Sequence, residues 1–67
     1  MRIHHKQVQL VLAPCAPALD KKGLTVAFSD VLGLVLVGRG GIETDLPLDA
    51  GFFDAMAFMA DVQARAR

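Results

Sequence analysis

Apolar and polar residues alternate in several short runs along the part of the chain that precedes Asp49. A period of two is typical of β-strands with one buried face. Pro47 falls in the last run and indicates an edge strand, because proline cannot donate a ladder hydrogen bond. Turn-forming residues separate the runs, which predict four strands at about residues 7–13, 24–29, 32–37 and 42–47.

The third predicted strand differs from the others, because its residues 34–37 read Leu-Val-Leu-Val and are apolar on both parities. This pattern is typical of a strand that is covered on both faces. One terminal helix can cover only one face of a sheet. The run therefore indicates that something else covers the second face.

A helix is predicted over about residues 50–66, with Asp49 as its N-cap. Placing residues at 100° intervals leaves Phe58 and Val62 beside a narrow polar strip, away from the main apolar face. We therefore expect these two side chains to form an exposed helix edge. The face expected to pack on the sheet comprises Phe52, Phe53, Met56, Met59 and Ala60.

Four strands followed by a helix, with short connections, predict a single small α+β domain over residues 1–67. Its architecture is an antiparallel three- to four-stranded β-meander followed by one C-terminal helix packed across one face of the sheet. A helix about 10 Å wide shields two or three strands spaced about 4.8 Å apart. The opposite face then stays open, and its apolar residues are the predicted self-association surface: Val11, Ala27, Val35 and Val37.

Composition strengthens the expectation of self-association. The chain has 67 residues, of which 54% are hydrophobic, and a domain of this size buries only about 60% of its unfolded surface. Small domains are commonly supplemented by disulfides, metals or oligomerisation. Cys15 is the only cysteine, and the adjacent His4 and His5 would point apart in an extended segment, so neither a disulfide nor a metal or other cofactor is expected. We expect a homodimer or a higher homo-oligomer.

The charge distribution predicts an acidic side. Seven basic and seven acidic residues cancel, so no overall field favours nucleic acid or an anionic membrane. The carboxylates nevertheless concentrate in residues 43–61, a stretch without Lys or Arg. A second protein with a basic patch would meet this side and the apolar helix edge. The predicted partner-binding residues are Phe58, Val62, Asp54, Asp61, Glu43 and Asp45.

Catalytic groups are sparse. Cys15 lies between two prolines, and Ser29 is the only serine. Asp54 and Asp61 would be about 10 Å apart along a helix, which suits solvation better than acid and base acting on one bond. We therefore expect no enzymatic activity. No apolar run approaches the roughly 20 residues of a membrane helix, and the N-terminal run is too short for an export signal, so a cytoplasmic protein is expected.

These patterns together predict a small self-associating protein-interaction module of the adaptor or inhibitor type. Self-association would use the sheet side or a strand edge. One alternative is a structural subunit of a homo-oligomeric assembly, in which both apolar surfaces are consumed. Nucleic-acid binding is a weaker alternative, supported only by the basic cluster of Arg2, His4, His5 and Lys6.

Overall fold

The computed structural model describes residues 4–67, so Arg2 and the start of the predicted domain lie outside the described residues. A three-stranded antiparallel sheet in the order β1-β2-β3 is followed by one C-terminal helix, which confirms the predicted α+β class. Two further helices precede the sheet. The elements are α1 His5–Leu12, α2 Ala16–Lys21, β1 Thr25–Ser29, β2 Gly33–Gly38, β3 Gly41–Leu46 and α3 Phe52–Arg65, with a 3-10 turn at Ala13–Cys15.

The strand predicted at residues 7–13 is wrong, because this segment is helical. Apolar residues at positions 8, 10, 11 and 12 fit a period of two and also fit a helix. The helical conformation is favoured over a strand because it buries His5, Val8 and Leu12, which are spaced by three and four residues. Pro14 and Pro17 lie in the first turns of the 3-10 segment and of α2, where the missing N–H of proline costs no helical hydrogen bond.

The three remaining strands begin and end within one residue of their predicted positions. A tight turn joins β1 to β2, and the Ser29 Oγ accepts the N–H groups of Val31 and Leu32 at 3.2 and 3.1 Å. A bulge interrupts the pairing of β2 with β3, where Glu43 is the extra residue. The bulge bends β3, the strand on which two of the predicted partner-binding carboxylates lie.

The core lies between the sheet and the helices, on one face of the sheet. β2 contributes Leu34 and Leu36, and β3 contributes Leu46. Helix α2 contacts β1, α1 contacts β2, and α3 contacts β3, so each helix packs on a different strand. Helix α1 also contacts α3. The helical side of the core comprises Val8, Leu12, Leu19, Ala55, Phe58 and Val62.

The end of β3 is in close contact with two other segments, the start of β2 and the start of α1. Gly33 has a φ of +86°, and a Cβ at this position would overlap the carbonyl oxygen of Leu46. The buried ring of His5 lies on the same segment, with its Nε2 3.2 Å from the Leu46 oxygen and 2.8 Å from the Pro47 oxygen. Because both partners are carbonyls, Nε2 is the donor. The ring fastens the start of α1 to the end of β3.

The predicted orientation of α3 is wrong. Phe58 and Val62 are buried in the core, whereas Phe52, Phe53 and Met56 are exposed. The physical reason is the unpredicted α1, which lies beside α3 in the helix layer. Helix α3 contacts α1 on one flank and β3 on the other. Its acidic strip, which carries Asp54 and Asp61, therefore faces the free edge of β3.

Candidate functional site

Aspartates from three segments meet in a groove between β3 and α3. The groove has a volume of about 620 Å³, and Thr44, Pro47, Ala57 and part of Phe58 also line it. β3 contributes one carboxylate, the loop before α3 a second, and the exposed flank of α3 two more. We call this surface the acidic groove and define it by Asp45, Asp49, Asp54 and Asp61.

Two of these carboxylates already have local partners. Asp61 forms an i,i+4 ion pair with the Arg65 Nε at 3.3 Å, and both side chains are partly exposed. The Asp54 Oδ2 accepts the N–H of Gly51 at 3.2 Å and so helps to begin α3. Within residues 4–67, Asp45 and Asp49 form no side-chain hydrogen bond or ion pair. The groove therefore keeps a negative charge that a single guanidinium does not neutralise.

The structure brings together three of the four carboxylates that were predicted to bind a partner, namely Asp45, Asp54 and Asp61. Asp49 joins them, and its prediction as the N-cap of the helix is wrong, because Gly51 is the residue that precedes α3. Glu43 is exposed on the bulge of β3 and does not line the groove. Clustering of acidic residues in a stretch without cations identified most of this surface, and it also selected Glu43, which lies outside it.

The predicted helix edge does not exist as a surface. Phe58 is 4% exposed and Val62 is fully buried, so neither side chain is available as a main contact for a partner. Their spacing with Ala55, at three and four residues, is the signal that marks them as the inward stripe of α3. Asp54 and Asp61 flank this stripe instead of lying opposite to it.

Three of the four residues predicted for self-association share the back of the sheet, and the fourth does not. Val11 belongs to α1 and not to the sheet. Ala27 and Val37 are half-buried, and Val35 is buried although it lies outside the main core, flanked by its cross-strand neighbours Ala27 and Asp45. The back of the sheet therefore carries three of the four predicted residues, and the described helices pack on the other face.

Five of the ten large exposed apolar side chains lie on helices α1 and α3. Phe53 is 83% exposed, Phe52 is 62% exposed, and their rings meet edge to face with centroids 6.0 Å apart. Met56 follows one turn later on α3, and α1 adds two exposed aliphatic residues. Helices α1 and α3 are in contact, and we call their exposed apolar side chains the outer helix face, defined by Leu10, Val11, Phe52, Phe53 and Met56.

The described residues offer little chemistry beyond these two surfaces. Among residues 4–67, no three His, Cys, Asp or Glu side chains are placed to hold a metal ion. Cys15 is half-buried, and the Nε2 of His5 is engaged by backbone carbonyls. A small cavity of about 150 Å³ beside α1 and α2 is below the roughly 300 Å³ that is usual for ligand sites. Over the same residues, no helix has both the length and the apolarity that crossing a bilayer requires.

Comparison with protein-family models, with curated proteins and with solved structures finds no match to this chain.

Proposed function

We propose that this protein is a small interaction module that binds a basic, extended segment of another protein in the acidic groove. The observation that supports this proposal is the convergence of four carboxylates on one groove, of which Asp61 is paired with the guanidinium of Arg65. Lysine and arginine side chains would gain charge-assisted contacts there, and the field of the groove would accelerate their association. The mode of action is steric or electrostatic, as in adaptors and inhibitors.

The position of the groove favours an extended partner segment. β3 is an edge strand of the described sheet, so one side of its backbone is free to pair with an added strand. Asp45 lies on this strand, while Asp54 and Asp61 lie across the groove on α3. Backbone pairing would provide affinity, and the carboxylates would select basic side chains at alternate positions.

The structure supports one of the two alternative functions, a structural subunit, more than the other, nucleic-acid binding. A structural subunit of a homo-oligomeric assembly is favoured by the outer helix face, which offers a second extensive contact surface. Binding of nucleic acid gains no support, because the acidic groove would repel phosphates.

The proposal is tested by titrating the full chain with an extended peptide of alternating lysine and valine, using calorimetry at low and high salt. A peptide with glutamate in place of lysine serves as the control ligand. Binding is expected only for the basic peptide, and it should weaken as salt is added. An absence of salt-dependent binding would contradict the proposal.

A matched pair of variants locates the binding. The double variant Asp45→Asn/Asp49→Asn removes two groove charges, each worth up to about 1 kcal/mol at an exposed site, and should weaken binding roughly fivefold or more. Asp30→Asn removes an exposed carboxylate at the β1–β2 turn, outside the groove, and should leave binding unchanged. Equal losses from both would show that only net charge matters.

A further inference from the structure

We propose that the outer helix face is the contact between two copies of this chain, packed about a two-fold axis. This surface is separate from the acidic groove, which lies on the other flank of α3. Dimerisation through this face can therefore be tested separately from the proposed binding of a basic segment in the acidic groove.

The area of the outer helix face is that of a dimer interface. A fully buried aromatic side chain removes about 150–250 Å² from water, so the exposed parts of Phe52 and Phe53 offer roughly 300 Å². Leu10, Val11 and Met56 raise the apolar area to roughly 500 Å². Two copies would together bury roughly 1,000 Å² of apolar surface, which reaches the lower limit for a specific interface.

The charge of this face favours a second copy over a charged partner. Asp54, Asp61 and Arg65 lie on the groove flank of α3, and the exposed residues on its outward side are uncharged. Lys6 is the one charged residue of α1, and it lies in the first turn of that helix. Across a two-fold axis a face meets itself, so a charge near the axis would meet a like charge. An uncharged apolar face can pair with itself without this penalty.

The shape of α3 permits close packing of two such helices. Ala60 and Ala64 are exposed along the same side as Phe53, four residues apart on α3. In an antiparallel arrangement, Phe53 of each copy would lie over the alanines of the other. The large and small side chains would then interdigitate, as they do in well-packed helix pairs.

The need for a partner follows from the size of the chain. A domain of this length has a small core, and the only cysteine is free. Burial of two further phenylalanines per copy would add the stabilisation that small domains otherwise obtain from disulfides or metals.

The test is sedimentation equilibrium of the full chain and its variants over a range of concentrations, with circular dichroism to verify folding. The wild type should sediment as a dimer of the 7.2 kDa chain. Phe53→Asp and, separately, Ala60→Arg should raise the dissociation constant of the dimer by at least roughly tenfold while the helix content is retained. Ala60→Arg removes almost no apolar area, so its effect comes from the size and charge of the new side chain at the contact.

Val31→Asp is the matched control, because Val31 is 78% exposed but lies at the β1–β2 turn. It should leave the dimer intact. A monomeric wild type, a trimer or larger assembly, or dissociation by Val31→Asp without dissociation by Phe53→Asp would overturn the proposal. Titration of folded Phe53→Asp with the basic peptide then tests the acidic groove separately, since that variant keeps all four groove carboxylates.

Discussion

The two sides of α3 are alike in composition but opposite in environment. The inward side carries Ala55, Phe58 and Val62, and the outward side carries Phe52, Phe53 and Met56. Each side has phenylalanine, yet one ring is almost fully buried and another is almost fully exposed. The difference shows that apolar character alone does not decide which side of a helix enters the core.

Neighbouring elements decide the rotation of α3. Its acidic strip would be costly to bury against α1, because a buried carboxylate without a cation is strongly disfavoured. Turned toward the edge of β3, Asp54 and Asp61 remain in contact with water. The small side chain of Ala55 then lies in the core, where it allows α3 to approach its neighbours closely.

The largest predicted contrast is between two phenylalanines on the same helix. Phe58→Ala should cost about 3–5 kcal/mol, because it opens a cavity in the core. Since small domains have only about 3–5 kcal/mol of stability, this variant should be largely unfolded by circular dichroism, and urea unfolding should measure a smaller loss for Phe58→Leu. Phe53→Ala should cost less than about 0.5 kcal/mol at low protein concentration, where self-association is negligible.

The dependence on concentration sharpens this comparison. Loss of the Phe58 ring should destabilise the fold at every protein concentration. Loss of the Phe53 ring should matter only where the dimer is populated. Equal effects of the two substitutions on the free energy of unfolding at low concentration would mean that the two sides of α3 are not distinguished as described.

A smaller contrast is expected between the two adjacent histidines. His5→Ala removes the buried donor to the Leu46 and Pro47 carbonyls and should cost about 1–3 kcal/mol. His4 is exposed and its side chain makes no capping bond, so His4→Ala should change stability by less than about 0.5 kcal/mol. Urea unfolding of both variants measures the difference, and a costlier His4 substitution would argue against the inward position of His5.

The smallest effect is expected on the groove flank of α3. Asp61→Asn breaks the exposed i,i+4 pair with Arg65 and should cost only a few tenths of a kcal/mol. The difference from wild type in thermal unfolding should vanish in high salt. A loss above about 1 kcal/mol that persists in salt would indicate that this flank is packed and not solvated.

The meander and the C-terminal helix could be predicted from the sequence, because alternation and turn residues coincide there. The N-terminal segment could not, since Val8, Leu10, Val11 and Leu12 satisfy both periods. What selects the helix is contact with α3 and β2, and these elements are distant along the chain.

The candidate site was predictable in part for the same reason. Clustering of carboxylates without cations identified Asp45, Asp54 and Asp61, and this pattern does not depend on how α3 is rotated. The prediction of Phe58 and Val62 as contacts did depend on the rotation, and it failed when α1 took up the flank of α3. Because α1 was not predicted, the exposure of Phe52 and Phe53 was not predicted either.

The attachment of α1 to the end of β3 has a consequence for biosynthesis. His5 finds its carbonyl partners only after translation has passed Pro47, and Val8 and Leu12 share a core with Val62 near the end of α3. Helix α1 therefore cannot complete its packing until the residues of α3 have been synthesised. Contacts between residues so far apart along the chain slow folding, because the loop between them must close before they form.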